Sequence, residues 1–87
     1  MALASLPRER ALSAAQNAKQ AFGGLTTRER EVAALIARGA TSREIARALT
    51  ISERTAETHV SHILGKLGFS SRAQIAAWAV EKGLTQA

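Results

Sequence analysis

The stretch TSREIARALTISERTAETHVSHILGKL, residues 41–67, decides the fold, because it holds two helix starts and one very short connection. Thr41 is followed three positions on by Glu44, the pattern in which a hydroxyl caps a helix start while the carboxylate reaches back to the cap's own amide. Ser52 is followed by Thr55, and a serine there still accepts from the orphan N–H groups of the next turn. The spacing predicts one helix over 42–49 and a longer one over 53–67, with Thr50, Ile51 and Ser52 between them. A turn of this length, with Ala46 small enough to let the helices approach, is of the helix-turn-helix kind.

Around the longer helix, residues advance by about 100° each, so Ala56, Val60, Ile63, Leu64 and Leu67 gather on one side. Arg54, Thr58, Ser61, His62 and Gly65 fall opposite, and Glu57 sits at the rim of that polar face. A short helix, a tight turn and a longer helix with a small polar outer face are the parts of a DNA reader.

The same punctuation continues outward. Thr26 with Glu29 and Ser71 with Gln74 repeat the capping pattern, predicting further helices over 27–38 and 72–82. Gly39, Gly68 and Gly83 stand where left-handed residues would close helices, so starts and stops agree on an all-α, four-helix domain over residues 25–87. Its expected core joins Leu25, Val32, Leu35 and Ile36 to Ile45, Ala46, Leu49 and Ile51. Trp78 with Ile75, Ala76, Ala79 and Val80 forms a core-and-edge stripe on the last helix.

Ahead of FGGL, residues 22–25, the segment LPRERALSAAQNAKQAF has Pro7 at a first helical position, a loose apolar stripe and Gly23 as a stop. Residues 1–24 therefore read as a helical arm with a poor core face: a linker, the remnant of a preceding domain, or an element that docks on a partner.

Composition agrees. Eighty-seven residues suffice for one small domain, which buries only about 60 % of its unfolded surface and leaves no room for a deep catalytic cleft. With no cysteine there is neither a disulfide framework nor a finger-type zinc site, and no apolar run is long enough for export or membrane spanning, so a cytoplasmic location is expected. The net charge is +5: three cations against Glu9 leave +2 in residues 1–24, and nine against six leave +3 in residues 25–87. A basic balance favours nucleic acid or an acidic membrane surface, and charge alone does not choose. His59 and His62 lie three residues apart but lack further ligands, so no metal is expected, and Ser and His occur without the other parts of a hydrolase. Neither a cofactor nor an enzymatic activity is expected.

Residues 25–79 carry a family resemblance. LT, REREV, IA.G, EIA..L.IS.RT, TH...IL.KLG and SSRAQ together resemble the LuxR-type helix-turn-helix domain of bacterial transcription regulators, in particular the C-terminal end of large multidomain members. The resemblance implies double-stranded DNA as partner, a third helix in the major groove, a fourth helix forming a homodimer contact on DNA, and RNA polymerase as a further partner. By position it assigns Arg54, Glu57, Thr58 and Ser61 to the groove and Thr41, Ser42, Arg43, Thr55 and His59 to the phosphate backbone. The helical wheel independently supports Arg54, Thr58 and Ser61, supports Glu57 less well, and His59 least. Gln74, Ala77 and Trp78 are the candidate dimer residues. The competing reading is a protein-interaction module that pairs with a full-length regulator through the fourth helix and leaves the third idle.

Departures from the family pattern bear on affinity. Ala56 replaces a usual Val; Thr50 lies where many such turns use Gly; Gly65 replaces a usual Arg or Lys, removing a candidate for phosphate contact and costing about 1 kcal/mol of helix propensity relative to Ala. A weaker, softer binder is expected. Glu57 has two readings, an acceptor for the cytosine amino group or an intrahelical partner that orients Arg54 three residues earlier.

Overall fold

The computed structural model describes residues 22–84. Four helices follow in order: α1 (Thr27–Ala37), α2 (Ser42–Leu49), α3 (Glu53–Leu67) and α4 (Arg72–Glu81). Among the described residues there is no strand. The predicted helix over the N-terminal arm falls outside the described residues, apart from Phe22–Gly24, which form a turn.

Every helix begins as the local sequence dictates. Thr26, Thr41 and Ser71 accept from the amides of Glu29, Glu44 and Gln74, whose side chains bond back to the cap amides, and Ser52 caps α3 through the Thr55 amide. The ends share one pattern as well. The amides of Ala40, Ile51, Phe69 and Leu84 each reach back to the carbonyls of Leu35, Ala46, Leu64 and Ala79 at 2.9–3.0 Å. These are Schellman closures, which need a left-handed residue just before the donor. Gly39, Gly68 and Gly83 supply it at three ends, and Thr50 supplies it at the fourth with φ 57° and ψ 50°. A β-branched side chain in this region is strained, so the helix-turn-helix turn keeps the usual geometry at a local cost. Helices α1 and α4 end one residue earlier than the sequence spacing predicts, because Arg38 and Lys82 already act as caps.

The four donors after the closures, Ala40, Ile51, Phe69 and Leu84, turn inward and pack on the core. That core holds Leu25, Val32, Ala33, Ile36, Ile45, Ala46, Ala56, Val60, Ile63, Ile75 and Ala79. Leu25, Val32, Ile45, Ile63 and Ile75 are fully buried, and burying such a side chain stabilises by roughly 1.5–3 kcal/mol. Helix α4 rests mainly on α1, and α2 mainly on α3. Val80, grouped with the core stripe by spacing, is instead 58 % exposed, since the face of α4 turned to α1 is carried by Ile75 and Ala79.

Among the described residues one charged side chain joins the interior. Glu29 lies on the buried stripe of α1 with Val32, Ala33 and Ile36. Its Oε1 accepts from the Thr26 amide at 2.9 Å and from Lys66 Nζ, on the last turn of α3, at 2.7 Å. Burial pushes this carboxyl up, but the Lys66 ammonium and the bonds from Thr26 outweigh it and leave its pKa below the ordinary value.

Candidate nucleic-acid interface

Helix α3 separates its faces cleanly. Ala56, Val60 and Ile63 are buried, while Arg54, Thr55, Glu57, Thr58, Ser61 and His62 are exposed. His59, the residue least supported by the wheel, is half-buried at the boundary. The four proposed groove residues therefore share one solvent-facing strip of one helix. Arg54 and Glu57 are both exposed, and no ion pair joins them; among the described residues the carboxylate of Glu57 has no partner. The intrahelical reading of Glu57 is thus absent from this conformation.

The hydroxyls on and around α3 are already oriented. Thr58 Oγ1 donates to the Arg54 carbonyl at 3.1 Å, so this threonine meets solvent as a methyl group and an oxygen acceptor. The Ser52 hydroxyl donates to Thr55 Oγ1 at 2.8 Å while accepting from the Thr55 amide at 2.9 Å, which leaves the Thr55 proton for an outside acceptor.

At the start of α2, Thr41 and Arg43 are exposed and Ser42 is half-buried. The Thr41 hydroxyl is used in the cap, accepting from the Glu44 amide at 3.1 Å. First-turn amides not taken by a cap are orphan donors, and with the helix dipole they favour an anion. Two further cations that spacing did not single out hold the elements of this surface in place. Lys66 anchors the end of α3 to Glu29, and Arg72, on α4, donates to the Ala40 carbonyl and to Ser42 Oγ. For Lys66 a signal existed: a carboxylate at position 29 on an otherwise apolar stripe demands a charged or hydrogen-bonding partner.

The candidate dimer residues are placed unequally. Ala77 is exposed on α4. Gln74 is exposed, but its Oε1 accepts from the amides of Ser70 and Ser71 at 2.7 and 3.1 Å, so it serves first as a cap. Trp78 is half-buried and packed on the core; a β-carbon added at Gly23 would lie 3.7 Å from its ring and collide with Leu67 Cδ2. Much of the indole is thus committed to its own chain, and the exposed apolar residues of α4 are Ala73, Ala77 and Val80.

A model of the family described as bacterial regulatory proteins, luxR family, matches residues 24–79, which include all four helices but for the last two residues of α4. The chain belongs to the LuxR family of bacterial regulatory proteins. Its LuxR-type domain is similar to several regulators by name. It is 47 % identical over 66 residues to the transcriptional regulatory protein YhcZ of Bacillus subtilis, covering 76 % of this chain and 31 % of that one. It is 39 % identical over 70 residues to the oxygen regulatory protein NreC of Staphylococcus aureus, covering 80 % and 32 %. It is 40 % identical over 62 residues to a protein of Mycobacterium tuberculosis named as an HTH-type transcriptional regulator, covering 71 % and 7 %. The chain thus spans about a third or less of the length of these relatives. Among its described residues no helix is long and apolar enough to cross a membrane.

Proposed function

We propose that this LuxR-type domain binds double-stranded DNA in a sequence-specific manner and regulates transcription, with α3 in the major groove and a second copy bound beside it. The observation that carries this reading is the split of α3: its apolar side is buried, and Arg54, Glu57, Thr58 and Ser61 form an exposed polar strip one tight turn away from α2. The names of the relatives, all transcriptional or regulatory, support it.

In this arrangement Arg54 suits the O6 and N7 acceptors of guanine, Glu57 the amino group of cytosine, and Thr58 the methyl of thymine or a base amino group, while Ser61 donates or accepts. Thr41, Ser42, Arg43, Thr55 and His59 take the phosphate side, where Arg43, the Thr55 proton and the orphan amides of α2 are the strongest donors. The net charge of +5 is small, so affinity rests on placed donors more than on a broad field. Ala77, Val80 and the free part of Trp78 on α4 form the dimer contact, with Gln74 at its edge. One helix face of this length buries much less than a standard interface, so the dimer forms on DNA and is weak in free solution.

Fluorescence anisotropy on random duplex DNA at two salt concentrations tests the reading. A DNA reader loses affinity steeply as salt rises, because phosphate contacts release counterions. A module that only pairs with another regulator through α4 is nearly indifferent to salt and shows no shift with DNA, and that outcome removes the proposal.

A further inference from the structure

Arg72 is the first residue of α4, where the helix dipole opposes a cation. Its guanidinium is held instead by the start of α2, some thirty residues away in sequence. Nη2 donates to the Ala40 carbonyl at 2.7 Å and Nη1 to Ser42 Oγ at 3.1 Å. Because α4 rests mainly on α1 and α2 mainly on α3, this fork ties together two helices whose principal packing partners differ.

The direction of the second bond is chemically fixed. A guanidinium only donates, so Ser42 Oγ accepts and its own proton is left for another acceptor. Ser42 is also the first residue of α2, where the amides of the opening turn have no intrahelical partner. The two-pronged contact therefore fixes the backbone at Ala40 and the side chain at Ser42 together. A lysine would keep the charge but not the fork.

We infer that Arg72 is a positioning residue for DNA binding: it turns the Ser42 hydroxyl into an oriented donor for one backbone phosphate and ties that contact to α4. The inference rests on the DNA-binding reading above. It gives Arg72 a role although the residue lies outside the α2–α3 unit and need touch no DNA itself.

The test uses the whole chain and a duplex chosen by selection from a random pool, with each phosphate replaced in turn by an uncharged methylphosphonate. The parent is expected to lose about tenfold in affinity when the phosphate facing Ser42 is neutralised, the scale of a charge-assisted hydrogen bond. Arg72→Lys is expected to bind the unmodified duplex several-fold more weakly and to lose sensitivity at that one phosphate while keeping it at the others. Ser42→Ala should erase the same sensitivity, and the double variant should be no weaker than the weaker single one, as for residues acting as a unit. If Arg72→Lys folds and keeps the parent's phosphate-by-phosphate pattern, or weakens all positions evenly, the inference is overturned. Should Arg72→Lys fail to fold, Ser42→Ala decides: a retained response at every phosphate overturns it. A parent that shows no salt-dependent DNA binding brings down the functional reading itself, and this inference with it.

Discussion

Lys66 Nζ lies 2.7 Å from Glu29 Oε1 and so fastens the last turn of the exposed-faced helix α3 to the capping turn of α1. The carboxylate is almost fully buried while the ammonium is 39 % exposed, so solvent weakens the Coulombic part and the hydrogen bonds matter most. The pair couples one contact between α3 and α1 to the ionisation of Glu29.

Stability should therefore fall in acid for a definite reason. The folded-state pKa of Glu29 is depressed below its ordinary 4.5, so its contribution is full above that value and is lost as pH falls through the lower folded-state value. Glu29→Gln, which can still cap but cannot ionise, is expected to cost about 1–2 kcal/mol at neutral pH and to flatten the acid limb. Urea midpoints measured from pH 6 to pH 2 check this; an unchanged acid limb in the variant would assign the pH dependence to other carboxylates.

Two backbone positions leave stability unused. Thr50→Gly relaxes the left-handed residue at the end of α2, and after the entropy lost to a freer unfolded chain it should stabilise by about 0.5–1 kcal/mol. Gly65→Ala, at an exposed site in α3 where an added β-carbon meets nothing within 4 Å, should stabilise by about 1 kcal/mol. Both should raise the urea midpoint at constant m-value, and Gly65→Arg should in addition tighten DNA binding at low salt.

The contrast between these positions and the charged ties shows what a sequence exposes. Thr26, Thr41, Ser52 and Ser71 act on amides three residues away, so spacing alone locates every helix start. The strip of Arg54, Thr58 and Ser61 was legible for the same reason, since helical geometry fixes which residues share a face. Lys66–Glu29 and Arg72–Ser42 join residues 37 and 30 positions apart, and no local rule pairs them. The half-buried state of Trp78 is equally non-local, because it depends on where the turn at Gly23 comes to rest.

That placement changes how the dimer is best tested. Trp78→Asp is expected to lower the melting temperature as well as DNA affinity, since it removes a residue packed on the core. Ala77→Glu and Val80→Glu alter only exposed surface; they should leave the melting temperature within a degree or two of the parent while abolishing cooperative binding to paired half-sites centred roughly 10 bp apart. Equal cooperativity in parent and variants, measured by gel shift on single and paired sites, would place the contact elsewhere.

Glu57, exposed and without an ion-pair partner among the described residues, is expected to read a base. Glu57→Ala should lose discrimination at one cytosine per half-site, by about 1–3 kcal/mol, and bind other sequences as well or better. Competition assays with each base pair replaced in turn report this directly. A uniform rise in affinity across all sequences would mean that only the charge mattered.

The four helix ends carry a consequence for how the chain reaches its fold. Each start is written within three residues, and each stop is closed by an amide bonding five residues back. Helices of 8 to 15 residues are marginal alone, so these signals bias each segment toward its native bounds while packing supplies the stability. Helical domains rich in near-neighbour contacts fold on the microsecond-to-millisecond scale. The distant charged ties can form only once the helices have docked, so weakening them is expected to speed unfolding more than it slows folding.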